Sequence, residues 1–258
     1  MRASGRQTDG DGKDPSIGGS VRRQKVGGFA ALYLAAAYVV AMPYFLAFVK
    51  YPDVTDPVEK VNLLVSNHAS MRVVYLITYV IFGIVLAVLA LALYARLRDG
   101  APTLTMAGTA VGLIWAVVLV ASGMIFNAGA AAVVELHATS PAQAVSAWQA
   151  IEPVAQGLGG SGGELLGGLW VLLVSVAALR TGGLPKMLNW LGVAIGALGV
   201  LSVVSALKDL AYGFGTLHIV WFVWLGIAML RTTSRPVDPA KRVVALEPGD
   251  GRLPAATV

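Results

Sequence analysis

The chain has no cysteine and few charged residues. Without cysteine, disulfide bonds, thiolate nucleophiles and cysteine-ligated zinc sites are excluded. Charged residues make up 13% of the sequence, well below the roughly 25% of an average soluble domain. Hydrophobic residues reach 57%. This composition excludes an ordinary soluble domain and predicts an integral membrane protein.

The apolar segments also lack the alternation of apolar and polar residues that is typical of a transmembrane β-barrel. Each of six apolar runs is long enough to cross a hydrocarbon core of about 30 Å as a helix. The runs are Phe29–Val49, Val73–Tyr94, Leu104–Phe126, Gly162–Leu179, Met187–Leu207 and Phe214–Leu230. The sequence therefore predicts an all-α, polytopic membrane protein with a six-transmembrane-helix bundle.

Both ends of the chain differ in composition from this middle part. They mix glycine, proline, serine and charged residues without a period that could bury one face, which predicts disorder. We therefore divide the chain into a disordered basic tail (1–28), a transmembrane domain (29–230) and a second disordered tail (231–258).

Positive charge is distributed unequally between the two sides of this predicted bundle. Of the 19 Lys and Arg residues, 15 lie in the two tails and in the turns after the second and fourth runs, whereas the long connection 127–158 has none. By the positive-inside rule, both termini are cytoplasmic, and we expect a bacterial plasma (inner) membrane. The net charge of +5 then reports orientation and contact with anionic lipid headgroups, and nucleic-acid binding is not expected.

Two connections on the predicted outer side carry helix-start signals. Asp56, Pro57 and Glu59 form a capping-box arrangement, which predicts a short interfacial helix ahead of the second span. Ser140 and Pro141 begin a second such helix, and Pro153 is its expected end. The expected apolar stripes of the two helices are Val58, Val61 and Val65, and Val145, Trp148 and Ile151. We expect both helices to lie on the outer surface as a partial lid over the bundle.

Glycine pairs spaced four residues apart predict close helix packing within the membrane. The pairs are Gly108/Gly112, Gly163/Gly167 and Gly192/Gly196. Each leaves one helix face without side chains, so that a neighbouring backbone can approach. The third, fourth and fifth spans are therefore expected to pack tightly together. Pro43 predicts a kink near the end of the first span.

The segment "GLGGSGGELLGGLW" (157–170) raises the question of catalysis. Its Gly159-Gly160-Ser161-Gly162 resembles the Gly-x-Ser-Gly of rhomboid intramembrane proteases, which also have a histidine in the sixth span, where this chain has His218. Bulky residues follow that histidine where rhomboids have small ones, and the second run has no His or Asn to stabilise an oxyanion. We interpret the segment as the glycine-rich start of a helix, with a rhomboid-like protease as a remote alternative.

A second resemblance covers more of the chain. The segment from residue 162 to 202, with its turn "LRTGGLPKMLNWLG", resembles the fourth span, Arg-x-Gly-Gly-Leu-Pro turn and fifth span of the bacterial family called domain of unknown function 4386. The six-span layout from about residue 28 to 232 is similar too. The resemblance implies a multi-span membrane protein, and it implies no assigned activity, cofactor or catalytic residues.

Polar residues that could form a site are few, and they lie near the predicted outer ends of the spans. We expect Glu164, His218, Asn127 and Ser161 to line an outer cavity, with Glu164 and His218 at similar depth and in contact across the fourth and sixth spans. In the alternative, Glu164 only caps its helix and points into water, while His218 lies alone among the headgroups. The three histidines lack metal-ligand spacing, so neither a metal nor a cofactor is expected.

Three classes of function fit these observations. A structural or regulatory membrane protein comes first, because no span has a charge near the midplane of the kind a proton-coupled carrier needs. A binder or transporter of a small molecule or lipid, using the outer cavity, is the alternative. An enzyme is the least favoured of the three. The lipid bilayer is the one partner that the sequence indicates directly.

Overall fold

The computed structural model describes residues 15–159, 164–207 and 210–231, in which every regular element is helical. Arg22–Thr232 form one packed unit, to which the contacts below belong. The helices are α1 (Pro15–Pro43), α2 (Pro57–Tyr75), α3 (Phe82–Leu97), α4 (Pro102–Thr139), α5 (Pro141–Gly159), α6 (Glu164–Thr181), α7 (Lys186–Leu201) and α8 (Leu210–Arg231). Most of the two predicted tails, together with Ser161 and Gly163, lies outside the described residues. Residues 15–28, which we expected to be disordered, belong to α1.

Five stretches are long and apolar enough to cross a membrane, and α7 is a shorter apolar helix. The five stretches lie within Val21–Phe48, Pro57–Leu97, Pro102–Thr139, Pro141–Thr181 and Gly213–Arg231. No β-strand occurs in the ranges that the structure describes. The predicted all-α, polytopic bundle is therefore confirmed.

The second span begins earlier than its apolar run. Asp56 caps α2 as predicted, because its Oδ1 accepts hydrogen bonds from the amides of Val58 and Glu59 at 2.9 and 2.8 Å. The helix does not stop before the span, however: α2 continues through a π-helical turn, Leu76–Ile81, into α3. The expected short interfacial helix was wrong, since no glycine or proline interrupts the chain between Pro57 and the span.

The third span is also longer than its apolar run. Helix α4 has 38 residues, about 57 Å at 1.5 Å per residue, against a hydrocarbon core of about 30 Å. Its neighbour α5 passes through Pro153, where we predicted a stop. The packing of α5 against α4 outweighs the intrahelical hydrogen bond that is lost because Pro153 has no backbone N–H. Ala155 is buried, and its carbonyl accepts a hydrogen bond from Ser122 Oγ of α4 at 2.8 Å.

These extensions pack into a second hydrophobic core, which we call the cap (residues 44–75 and 126–159). Its buried residues are Val49, Tyr51, Val61, Leu64, Met71, Tyr75, Phe126, Ala130, Val133, Ala144, Trp148 and Ala155. The predicted stripe of α5 is confirmed, because Val145 and Ile151 pack against this core beside Trp148. The stripe of α2 was partly wrong, since Val58 is exposed and Leu64 is buried. In place of two surface helices, the chain therefore builds a packed cap.

A polar cluster joins three segments of the cap. Lys60 of α2 forms an ion pair with Glu152 of α5 (Nζ to Oε1, 2.8 Å), and its Nζ also lies 4.9 Å from the ring centroid of Tyr51. Trp148 Nε1 donates a hydrogen bond to the Tyr51 hydroxyl at 2.8 Å. Burial and the nearby carboxylate of Glu152 raise the pKa of the Tyr51 phenol above its ordinary value, so this hydroxyl stays protonated.

Glycines bring α6 and α7 close together. The predicted pair Gly192/Gly196 of α7 faces α6, but on α6 the glycine that faces α7 is Gly168 and not the predicted Gly167. Gly168 lies against the backbone of α7: an added Cβ would lie 2.8 Å from the amide nitrogen of Val200 and 2.9 Å from the carbonyl oxygen of Gly196. Gly199 of α7 faces the same part of α6. A Cβ added to Gly199 would lie 2.8 Å from the Cα of Gly168. Backbone thus packs against backbone here, which suits a lipid environment.

The turn between α6 and α7 is held by the end of α3. Gly182 has a φ of +65°, a left-handed conformation that favours glycine. Arg96 Nε donates a hydrogen bond to the carbonyl of Gly183 at 2.9 Å. On the other side, Asn189 Nδ2 donates to the carbonyl of Leu184 at 3.2 Å. The glycines and the asparagine of the "LRTGGLPKMLNWLG" turn therefore each have a local structural role.

Candidate functional site

A cavity of about 170 Å³ lies where the bundle meets the cap. Its wall includes residues from α1, α3, α4, α6 and α8, from the end of α5 and from two π-helical turns, Tyr44–Phe48 and Leu76–Ile81. Six of the lining side chains are aromatic: Tyr38, Phe45, Tyr79, Phe82, Trp115 and Phe214. Among the described lining residues, Glu164 is the one with a carboxylate, and most of the remaining positions are alanine or glycine.

Glu164 is the first residue of α6 and faces the cavity. Its Oε2 atom is buried and has no hydrogen-bond partner among the described residues. No Lys, Arg or His side chain belongs to the described cavity wall. The alternative in which Glu164 simply points into water is therefore wrong for this oxygen. A buried carboxylate oxygen without a partner carries a large desolvation penalty. A hydrogen-bond donor or a cation beside the carboxylate would reduce that penalty.

His218 lies in α8 and is completely buried, not exposed among headgroups as one alternative held. Five aromatic rings surround its imidazole. Their centroids lie 4.6 Å (Phe214), 4.6 Å (Phe222), 5.8 Å (Trp221), 5.9 Å (Tyr38) and 6.1 Å (Trp115) from that of the imidazole. Neither ring nitrogen has a hydrogen-bond partner in the described part of the chain. The imidazole therefore packs as an aromatic side chain would.

The contact that we predicted between Glu164 and His218 is not formed as a hydrogen bond, since neither imidazole nitrogen makes one within the described residues. Tyr38, Trp115 and Phe214 each line the cavity and also contact the imidazole. They thus connect the cavity wall to His218. Depth along the membrane normal, on which the prediction rested, does not specify which way each side chain points around its helix.

The other two predicted cavity residues are not part of the described wall. Asn127 lies in α4 and does not line the cavity, although its Oδ1 is buried without a partner among the described residues. Ser161 lies outside the residues that the structure describes. Of the three predicted residues that the structure describes, Glu164 is the one that lines the cavity.

Sequence reasoning missed the tyrosines of the site. Tyr38 and Tyr79 both stand inside apolar runs, where a phenol hydroxyl is a polar group that needs a partner or a cavity. That isolation was an available signal, but the predicted site contained only Glu, His, Asn and Ser side chains.

A π-helical turn places Thr78 and Tyr79 in the cavity wall. Its geometry is supported by side chains: Tyr33 Oη donates a hydrogen bond to the carbonyl of Ile77 at 2.8 Å, and Thr78 Oγ1 donates to the carbonyl of Val74 at 2.7 Å. Opposite, Gly159 leaves room for the tyrosine ring, since a Cβ there would lie 3.1 Å from Tyr79 Cε1. Turns of this kind are frequent at functional sites.

Within the described ranges, no three His, Asp or Glu side chains lie close enough together to hold a metal ion. The cavity brings six aromatic side chains and the carboxylate of Glu164 together. These are properties of a binding site.

Comparison with known proteins places this architecture in a family. A family model described as "Domain of unknown function (DUF4386)" matches residues 29–230, which is most of the chain and includes every residue of the cavity wall. No curated protein and no solved structure matches the chain. The family match agrees with the resemblance carried by the turn after α6. The chain therefore belongs to the DUF4386 family of domains of unknown function.

Proposed function

We propose that this multi-pass membrane protein binds a small molecule in the cavity beside Glu164. One observation carries the proposal: the cavity contains a buried carboxylate oxygen that has no partner among the described residues. A molecule bound beside the carboxylate would stabilise it electrostatically and offset part of the desolvation cost. A purely structural or regulatory role, which the composition of the spans favours, requires no such group.

The volume of the cavity limits the size of the ligand. At about 170 Å³ it is smaller than the 300–1,000 Å³ of typical drug-sized sites. A cavity of about 150 Å³ in another protein holds benzene. A ligand held entirely within the cavity is therefore a compact molecule of about five to eight non-hydrogen atoms.

A thermal-stability screen of the detergent-solubilised protein tests ligand binding. A library of compounds of that size should contain members that raise the unfolding midpoint, since a ligand at a hundredfold excess over its Kd stabilises the native state by about 2.7 kcal/mol. The effect should be lost in Glu164→Gln and kept in Glu135→Gln, a matched change at an exposed position of α4. If no compound stabilises the wild-type protein in a Glu164-dependent way, the proposal is wrong.

We also propose that the protein lies in a bacterial plasma membrane with both termini in the cytoplasm, on the basis of its Lys and Arg distribution. Because the chain has no cysteine, single cysteines report orientation directly. Ala142 and Asp99 are both exposed and are therefore suitable positions for these cysteines. Ala101, in the same turn as Asp99, is only 8% exposed, so a cysteine there would react poorly on either side of the membrane.

An impermeant maleimide should label Ala142→Cys in intact cells and should label Asp99→Cys only after the cells are permeabilised. The cysteine-free parent protein is the background control. Labelling of Asp99→Cys, but not of Ala142→Cys, in intact cells would invert the proposed orientation.

A further inference from the structure

We infer that the ligand is a small organic cation, specifically an alkylated ammonium ion. This inference rests on the proposed binding function and specifies its ligand class. Two properties of the wall point to it: aromatic rings contributed by several helices, and a single carboxylate with no cationic side chain beside it among the described residues that line the cavity.

The aromatic rings of the wall pack against one another and are held in place by these contacts. Tyr38 packs edge-on against Phe82, with ring centroids 5.5 Å apart, and Phe82 packs edge-on against Trp115 at 6.2 Å. Phe214 is held by the buried imidazole of His218, at 4.6 Å. Because these rings contact one another, their orientations are set before a ligand enters. Aromatic faces attract cations through the ring quadrupole, most strongly when water is excluded.

The charge of the wall selects the sign of the ligand. An anion would be repelled by the carboxylate of Glu164. A neutral apolar molecule would fill the space but leave the buried Oε2 without a partner. A cation is attracted to the carboxylate and to the aromatic rings at the same time. Burial in a membrane domain strengthens both interactions, since the local dielectric constant is low.

The hydrogen-bonding capacity of the wall selects the degree of substitution. A primary ammonium has three N–H donors that need acceptors. Beyond Glu164, the side-chain acceptors among the described residues of the wall are the hydroxyls of Tyr38, Tyr79 and Thr78, whereas the other ten lining residues have no side-chain acceptor. An ammonium whose hydrogens are replaced by methyl groups requires no acceptors and presents an apolar surface to the rings. Tetramethylammonium, with five non-hydrogen atoms, fits the volume.

Four compact compounds separate these possibilities: tetramethylammonium, tert-butylammonium, tert-butanol and the slightly larger trimethylacetate. Calorimetric titration into the solubilised protein at constant ionic strength gives their affinities. We expect tetramethylammonium to bind most tightly, tert-butylammonium more weakly, and the neutral and anionic compounds at least tenfold more weakly than tetramethylammonium. Glu164→Gln and Trp115→Leu should each weaken tetramethylammonium binding at least tenfold.

The controls are Glu135→Gln and Trp190→Leu, which change an exposed glutamate and an exposed tryptophan outside the cavity. Both should bind tetramethylammonium as the parent protein does. If Trp115→Leu does not fold, Phe45→Leu at the edge of the same wall replaces it. If tert-butanol or trimethylacetate binds as tightly as tetramethylammonium, and the cavity variants weaken that binding, the cation inference is wrong and the binding function stands. If none of the four compounds binds, the cation inference is wrong, and the library screen alone then decides the binding function.

Discussion

Alanine at Gly168 is expected to lower the free energy of unfolding by about 2 kcal/mol or more. The added methyl group would lie within 3 Å of the Val200 amide and the Gly196 carbonyl, which are backbone atoms and cannot rotate away. The two helices must therefore separate, and overpacking of this kind costs about 1–3 kcal/mol, occasionally more. In a protein of this size we expect the thermal midpoint to fall by about 4–8 °C.

Gly157→Ala is the matched control. Gly157 also lies within a helix, but no atom lies within 4 Å of the position that its Cβ would occupy. Alanine is a better helix former than glycine, so this variant should gain about 0.5–1 kcal/mol. The two glycine-to-alanine changes should thus shift the midpoint in opposite directions. Equal effects at both positions would show that close backbone packing at Gly168 is not what stabilises the pair of helices.

Removal of the His218 side chain should be about as costly as removal of a buried aromatic residue. His218→Ala leaves a void among five rings, and we expect a loss of about 3 kcal/mol in the free energy of unfolding. His218→Phe keeps the ring contacts and removes two buried nitrogens that have no partner within the described residues. Since an unsatisfied buried polar atom costs about 1–3 kcal/mol, the phenylalanine variant should be as stable as the parent protein or more stable.

Thermal or denaturant unfolding of the solubilised variants measures both changes. The comparison also tests the role of the imidazole. If His218→Phe destabilises the protein as much as His218→Ala does, the imidazole nitrogens form a stabilising interaction, and the purely aromatic packing described above is wrong.

Much of the fold was predictable from hydrophobicity and helix-start signals. The apolar runs correspond to the membrane-crossing stretches and to α7, and Asp56 caps α2 as expected. The ends of the helices were less predictable. Past Phe126, where we predicted a connection, α4 continues, and its buried residues Gly129, Ala130 and Val133 recur at helical spacing on the face that packs into the cap. The polar pair Lys60–Glu152 joins residues far apart in the chain, and no local pattern indicates it.

The site was only partly predictable, for a related reason. Glu164 is conspicuous as an acid at the start of an apolar helix, and it does line the cavity. The aromatic wall could not be separated from ordinary membrane-helix residues, because its members come from different helices and share no spacing. Their convergence depends on how each helix is rotated about its axis. Apolar patterns define that rotation poorly when lipid and protein interior are equally hydrophobic.

The π-helical turn Leu76–Ile81 also determines where the length of the second span can change. In it the Phe82 amide reaches back five residues to the Ile77 carbonyl, so the turn contains one residue more than an α-helical turn. Deletion of one residue elsewhere in α2 or α3 would rotate everything beyond it by about 100° and turn one of the two cores toward lipid. Deletion inside the π turn would only convert it to a regular turn. A residue can thus be gained or lost at this turn. The cap and the bundle can therefore differ in length while their buried faces stay aligned.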